Sequence, residues 1–127
     1  MRPIPKKMLQ QILDDPFYQK CIRDFEGKCK GRITLEHSLI WAGRQINDIF
    51  AIVPVCACHH EVDEYQNSGQ MDKQVNQLAA LLRATPEDLK KYPRVDWEQE
   101  KKRLIYIVTK RYGENYIRSL YRRIATK

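Results

Sequence analysis

The sequence predicts an α+β fold that is mostly helical, with a short strand–loop–strand–helix module followed by several helices. Two runs indicate the strands: residues 33–40 are rich in β-forming side chains, and residues 49–55 are almost continuously apolar. Apolar side chains at helical spacing across residues 71–125 indicate the helices. A chain of 127 residues with a hydrophobic fraction of 43% is expected to form a single domain, 1–127, with a modest core.

The module is expected to occupy about residues 21–69 and to follow a short N-terminal helix. Residues 5–13 place apolar side chains on one helical face, and this helix ends before Pro16, because the residue before a proline is pushed out of the helical region. Residues 43–48 are the predicted connection between the two strands. Residues 59–66 contain neither glycine nor proline, and they are predicted to form the helix that completes the module.

The rest of the chain, about residues 70–127, is predicted to be a helical extension. Thr85 is a typical helix N-cap and is followed by a proline at the first helical position. Asp96 is the expected N-cap of a longer helix, and Gly113 is its expected C-cap. The three longer predicted helices cover residues 71–83, 97–112 and 114–125.

The net charge of +7 is distributed unevenly along the chain. Residues 1–35 carry a net charge of +4, residues 36–70 carry −4 and residues 71–127 carry +7. An acidic centre between basic flanks is suited to a bound cation on which a polyanion is placed. The alternative is that these charge runs are solvated faces.

The cysteine content points to metal binding. The sequence has no apolar run near the roughly 20 residues that span a membrane, and no apolar block follows its basic first seven residues. We therefore expect a cytoplasmic protein without membrane contact. In that reducing compartment four cysteines favour a metal site over disulfides.

A structural zinc site is predicted from cysteine and histidine spacing. Closed zinc sites take four nitrogen or sulfur ligands. Cys21 and Cys29 supply one pair, and Cys56 with either Cys58 or His59 supplies the other. We favour His59, because two intervening residues are the usual spacing in a zinc knuckle, whereas Cys58 is too close to Cys56. The alternative is that some of these cysteines are small buried hydrophobic residues.

A second, catalytic ion is predicted beside the first. On a helix beginning near His59, His60 and Glu64 lie four residues apart and share one face, which points away from the zinc site. Glu36 and His37 on the first strand are expected to complete the site of the catalytic ion, because a glutamate can ligate a hard cation and a histidine can act as a general base. Neighbours on a regular strand face opposite sides, so both serve one pocket only where the strand twists, bulges or ends. The alternative for His37 is a hydrogen-bonded core histidine.

This pattern resembles the HNH, or ββα-metal, endonucleases, in the zinc-containing variety often found in phage genomes. The resemblance is carried by Glu36-His37 on the first strand, a hairpin, Cys-x-x-His-His over residues 56–60, and Glu64 four residues later. It covers roughly residues 21–69. If the chain is phage-encoded, its compartment is the cytoplasm of a bacterial host cell.

The resemblance implies a role for each of these residues. His37 is the general base that activates a water for in-line attack on a phosphodiester. His60, Glu64 and Glu36 are ligands of one divalent ion, usually Mg²⁺ with Mn²⁺ as the substitute, which stabilises the leaving 3′ oxygen. A separate structural zinc is held by Cys21, Cys29, Cys56 and His59.

The chain departs from the family pattern at two places. The family's central asparagine sits about nine residues before the helix histidine, where this chain has Ala51. The nearest asparagine is Asn47, which is expected to lie in the connecting loop and to orient the strand that carries His37. The seven residues between Cys21 and Cys29 also exceed the usual spacing.

The C-terminal helices are expected to contact phosphates. Residues 101–127 carry nine Lys and Arg against one Glu, and the expected contacts are Lys110, Arg111, Arg118 and Arg122. The leading hypothesis is therefore a metal-dependent endonuclease acting on nucleic acid, with DNA the expected substrate and a homodimer one route to cutting both strands. The alternative hypotheses are a zinc-stabilised nucleic-acid-binding or adaptor protein that cuts nothing, and a protein-binding module with a purely structural zinc.

Overall fold

The computed structural model describes residues 3–57 and 72–125. Within these ranges the chain forms five α-helices and four short strands. The helices are α1 (Lys6–Leu13), α2 (Lys73–Arg83), α3 (Pro86–Lys90), α4 (Trp97–Tyr112) and α5 (Glu114–Ala125). The strands are β1 (Ile33–His37), β2 (Ile40–Trp41), β3 (Arg44–Gln45) and β4 (Ile52–Cys56). The fold is therefore α+β and mostly helical, as the sequence predicts.

The main sheet is an antiparallel pair of β1 and β4. Ile33 lies opposite Cys56 at one end of this ladder, and His37 lies opposite Ile52 at the other end. All five residues of β4 are buried, in agreement with their continuous apolar sequence. The ladder thus places a cysteine and a histidine that the sequence singles out at its two opposite ends.

The first strand is shorter than the predicted range 33–40, because a second hairpin follows it. β2 and β3 pair antiparallel where the sequence predicts only a connection over residues 43–48. Ala42 and Gly43 join them with φ angles of 53° and 79°. Two successive residues with positive φ are typical of the type I′ turn, whose twist matches a two-residue hairpin. The turn is missed from sequence because Ala42 stands at a position that usually holds Asn, Asp or Gly.

The second strand begins later than the predicted residue 49. The segment Ile49–Ala51 forms a 3₁₀ turn, in which the amide of Ala51 donates to the carbonyl of Asp48 at 3.0 Å. The hydroxyl of Tyr18 lies 2.9 Å from the carbonyl oxygen of Ile49 and 3.0 Å from that of Ile52. These contacts from a distant residue favour the turn over extension of the strand.

The predicted helix ends are confirmed where their caps are local. Thr85 and Asp88 form a reciprocal capping box at the start of α3, with distances of 3.2 and 2.9 Å. The carboxylate of Asp96 accepts the amide of Gln99 at 3.0 Å at the start of α4. Gly113 ends that helix with a φ of 92°. No helix within residues 3–57 and 72–125 is long and apolar enough to cross a membrane.

The C-terminal helices share one core with the β1–β4 sheet. Helix α2 begins at Lys73, slightly later than predicted, because Asp72 caps it. It packs against β4, α4 and α5. Leu78 of α2, Leu104 of α4 and Leu120 of α5 are fully buried in the same cluster as the valines of β4. The helical extension therefore supports the strands. The helix predicted over residues 59–66 lies outside the described residues.

Arg123 of α5 holds the segment before β1 in place. Its guanidinium donates to the carbonyl oxygens of Cys21, Phe17 and Lys20 at 3.2, 2.9 and 2.6 Å. It also lies 4.7 Å from the centre of the Phe17 ring, within the range of a cation–π contact. The sequence does not reveal this role, because Arg123 is one of many basic residues near the C-terminus.

Replacing Arg123 by alanine should lower the free energy of unfolding by roughly 2–3 kcal/mol, because three carbonyl groups lose a charged donor. The matched control is Arg118→Ala on the same helix, whose side chain is 71% exposed and should change stability by no more than about 0.5 kcal/mol. Urea denaturation of both variants measures the difference. Equal effects of the two substitutions would contradict the assigned role.

Candidate metal centre and histidine site

Three cysteine side chains from two separate segments come together. The Sγ atoms of Cys21, Cys29 and Cys56 all lie within 4.8 Å of one another. In a tetrahedral zinc–thiolate site with Zn–S distances of about 2.3 Å, sulfur atoms are about 3.8 Å apart, so the observed spacing is compatible with one shared ion. The three cysteines could therefore hold a metal ion, and the donor set is compatible with structural zinc.

The first two cysteines lie on one loop, and they differ in exposure: Cys21 is buried and Cys29 is exposed. The Sγ atom of Cys21 accepts the backbone amide of Arg23 at 3.4 Å. Desolvation of its sulfur, followed by the charge of Cys21 and contacts with Cys56, raises the pKa of the Cys29 thiol, although the residue as a whole is exposed. A bound cation acts in the opposite direction, because it favours the thiolate. The cluster thus suits a cation better than three neighbouring thiol groups alone.

Gly31 allows the two cysteine-bearing segments to approach each other. Its φ is +79°, and a Cβ atom added to it would lie only 2.6 Å from the Cβ of Ala57. Gly31 comes two residues after Cys29, and Ala57 comes directly after Cys56. A side chain at position 31 would therefore push the two halves of the cysteine cluster apart.

A buried charge network supports the same loop from the other side. Arg23 is only 2% exposed, and its guanidinium pairs with both carboxylate oxygens of Glu26 at 2.7 and 3.2 Å. The hydroxyl of Tyr116 donates to Glu26, and the ring of Tyr112 stacks on Tyr116 with ring centres 4.3 Å apart. Burial, then a hydrogen bond to Asp72, raises the pKa of Tyr112 to about 12. The sequence indicates only a charged loop here, because these partners come from helices far along the chain.

The other ligands that the sequence predicts lie outside the described residues. They are Cys58 and His59, the two candidates for the fourth zinc ligand, and His60 and Glu64, the predicted helix-borne ligands of the catalytic ion. Their roles stay predictions.

His37 and Asn47 are brought into direct contact. The Nε2 atom of His37 lies 2.9 Å from the Oδ1 atom of Asn47, and the Nδ2 atom of Asn47 donates to the carbonyl of Pro3 at 3.0 Å. A carbonyl can only accept, so the amide group of Asn47 faces Pro3 and its oxygen faces His37. In the neutral ring, Nε2 therefore carries the proton and Nδ1 carries the lone pair.

The second ring nitrogen of His37 is buried without a hydrogen-bond partner among the described residues. The residue as a whole is only 3% exposed. Leaving a buried polar atom unpaired costs about 1–3 kcal/mol, so such atoms call for an explanation and are often functional. His37 is thus oriented through Nε2, and no group among the described residues bonds to Nδ1.

Glu36 faces the interior beside helix α2. Its Oε2 atom accepts the hydroxyl of Ser38 at 3.0 Å and the amide of Asn76 at 2.9 Å. These contacts differ from those of His37, as expected for neighbours on one strand. Its role as an ion ligand stays a prediction, and the contact with Asn76 is one that the sequence does not reveal.

The four basic residues predicted to contact phosphates differ in their surroundings. Lys110, Arg118 and Arg122 lie on exposed helix surface. The Nη1 atom of Arg111 lies 3.1 Å from both carboxylate oxygens of Asp72, whose side chain is 6% exposed. Arg111 therefore has a structural role at the start of α2, and the other three side chains are more open to a polyanion.

Comparisons with known proteins give no family for this chain. No protein-family model matches it, and neither does any curated protein or solved structure. The functional conclusion therefore rests on the residues of the site themselves.

We expect Gly31→Ala to lower the free energy of unfolding by roughly 2–5 kcal/mol, through a strained positive φ and through overpacking against Ala57. The double variant Gly31→Ala/Ala57→Gly should regain only the part of the free energy of unfolding that overpacking removes, because the backbone strain at residue 31 persists. Chemical denaturation of the two variants separates these contributions. Wild-type stability in Gly31→Ala would contradict the close approach of the two segments.

Proposed function

We propose that this protein is a metal-dependent endonuclease of the HNH type, which hydrolyses phosphodiester bonds of DNA. The observation that carries the proposal is the oriented ring of His37, bonded through Nε2 to Asn47 and with Nδ1 lacking a partner among the described residues. A general base requires a fixed ring with an accessible lone pair, and this arrangement supplies the fixed ring.

In this proposal His37 removes a proton from water. Its Nδ1 lone pair accepts the proton while the water oxygen attacks phosphorus, and the bond from phosphorus to the 3′ oxygen breaks in line with the attack. The resulting imidazolium keeps its Nε2–H bond to Asn47, so the ring does not reorient during the step. Asn47 acts as a positioning residue, held in turn by the carbonyl of Pro3.

Two metal sites belong to the proposal. A structural zinc is held by Cys21, Cys29, Cys56 and His59, the first three of which supply the described cluster. His60, Glu64 and Glu36 would hold a divalent cation, Mg²⁺ or Mn²⁺, and this ion would stabilise negative charge on the phosphate and the leaving oxygen.

The substrate proposal rests on charge. The net charge of +7, concentrated in the C-terminal part, favours association with a nucleic-acid backbone. Lys110, Arg118 and Arg122 lie on exposed helix surface and supply phosphate contacts without reading sequence. A homodimer would allow both strands of a duplex to be cut.

A second candidate is a zinc-stabilised nucleic-acid-binding protein that cuts nothing. The burial of His37 and the bonds of Glu36 to Ser38 and Asn76 favour it, because both are typical of structural side chains. The lack of a partner for Nδ1 of His37 within residues 3–57 and 72–125 favours the enzyme, because a structural histidine normally has both nitrogens satisfied. Cleavage that depends on His37 separates the two.

The purified protein should contain one zinc ion per chain, measured by elemental analysis. Cys29→Ser should lose that ion and melt at lower temperature, because removal of one thiolate opens the site. Cys58→Ser is the matched control, and it should retain the ion if His59 is the fourth ligand. Loss of zinc in Cys58→Ser with retention in His59→Ala would reverse that assignment.

The wild-type protein should nick supercoiled plasmid in the presence of Mg²⁺ or Mn²⁺. His37→Ala should lower the rate by about 10²–10⁴-fold, the usual contribution of a general base. The control is an unchanged zinc content and an unchanged affinity for the plasmid. Equal cleavage by both proteins would contradict the assignment of His37, and binding without cleavage by either would favour the second candidate.

Asn47→Ala should lower the nicking rate by about tenfold, less than the loss of His37, because one orienting hydrogen bond is removed while the base stays. Asn47→Asp should retain more activity than Asn47→Ala, because a carboxylate still accepts the Nε2 proton of His37. Single-turnover nicking rates of the wild type and the two Asn47 variants test this order of activities. An alanine variant as fast as the wild type would show that Asn47 does not position the base.

A further inference from the structure

A second feature beside Asn47 is a surface cavity that the proposed chemistry does not use. It has a volume of about 380 Å³, at the lower end of the roughly 300–1,000 Å³ range of small-molecule sites. The residues of this Trp41 cavity that matter for binding are Trp41, Arg44, Gln45, Asn47 and Tyr92. They come from the β2–β3 hairpin, the loop after it and the segment after α3.

The aromatic walls of the Trp41 cavity are held in fixed positions. The indole Nε1 of Trp41 donates to the carbonyl of Pro93 at 2.8 Å, and its ring meets the ring of Tyr92 edge to face at 5.6 Å. The carbonyl of Tyr92 accepts the indole Nε1 of Trp97 at 2.9 Å. Fixed aromatic surfaces favour stacking with a flat ligand, because little side-chain entropy is lost on binding.

The polar groups of the cavity match a nucleotide. Arg44 is exposed, and it has no ion-pair partner within residues 3–57 and 72–125. A guanidinium in that position can stack on a base or contact a phosphate. The polar side chains of Gln45 and Asn47 line the same cavity.

The position of the cavity relates it to the cleavage chemistry. Asn47 lines the cavity and also contacts the Nε2 atom of His37 at 2.9 Å. A ligand in the cavity is therefore one side chain away from the proposed general base.

We propose that the Trp41 cavity receives an unpaired nucleobase next to the scissile phosphate, so that the substrate is single-stranded or locally unpaired. This inference rests on the proposed endonuclease function and specifies its substrate class. A fully paired base cannot offer its face to Trp41, because both of its faces are covered by stacked neighbours in a duplex. Stacking against Trp41 supplies the affinity, and Arg44 supplies contact with the strand.

The experiment measures binding without turnover. Full-length His37→Ala protein is titrated into a fluorescent single-stranded oligonucleotide and into the duplex of the same sequence, and the Kd is read from anisotropy. Adding Trp41→Ala should weaken single-strand binding by about 5- to 150-fold, the usual effect of losing one stacked base, and should leave duplex binding within about twofold. Trp41→Phe should retain most of the single-strand affinity, because it keeps an aromatic face.

Arg44→Ala provides a test that does not disturb the aromatic walls. It should weaken single-strand binding more than Lys102→Ala, which removes one exposed charge from α4 and is the matched control. Circular dichroism and zinc content establish that each variant is folded. If Trp41→Ala does not fold, the comparison of Arg44→Ala with Lys102→Ala decides.

The inference is overturned if folded Trp41→Ala weakens binding to both substrates equally or to neither, or if Arg44→Ala behaves like Lys102→Ala. If the wild type and Trp41→Ala nick plasmid at the same rate, the inference is overturned and the endonuclease proposal still stands. Single-strand binding that depends on Trp41, without cleavage of any substrate by the wild type, would overturn the endonuclease proposal and support the cavity as a base-binding site.

Discussion

The antiparallel ladder between β1 and β4 is the constraint on which the candidate sites depend. It pairs Ile33 with Cys56 at one end and His37 with Ile52 at the other, about 13 Å apart at the usual rise per residue. The cysteine cluster lies at the end with Cys56, and the contact between Asn47 and His37 lies at the end with Ile52. Because β4 is fully buried, a shift of the ladder would disturb both ends together.

A two-stranded sheet is marginal alone, and the C-terminal helices stabilise it. Helix α2 packs on β4, and its Asn76 bonds to Glu36 on β1. Helix α5 contacts the loop that carries Cys21 and Cys29 at two points. Arg123 donates to the backbone carbonyl of Cys21, and the hydroxyl of Tyr116 donates to Glu26. Positive charge in this part of the chain is thus divided between structural contacts and exposed surface, and net charge alone does not distinguish the two.

Features with local causes could be predicted from the sequence. The caps at Thr85 and Asp96 depend on residues within one turn, and the cysteine spacing indicated which thiol groups converge. The hairpin of residues 40–45 could not be predicted from the sequence. It folds back so that the amide of residue 46 donates to the carbonyl of residue 39 at 2.8 Å. This fold explains why Asn47 contacts His37 despite its unusual spacing. Arg123 was missed because its partners are about a hundred residues away in sequence.

The most direct test of this account is the tautomer of His37 in the zinc-loaded protein, read from a long-range ¹H–¹⁵N NMR spectrum and assigned by its absence in His37→Ala. The neutral ring should carry its proton on Nε2, bonded to Asn47, and Nδ1 should have the chemical shift of an unprotonated nitrogen. A ring protonated on Nδ1, or one without a preferred tautomer, would contradict the claim that the fold prepares His37 as a base.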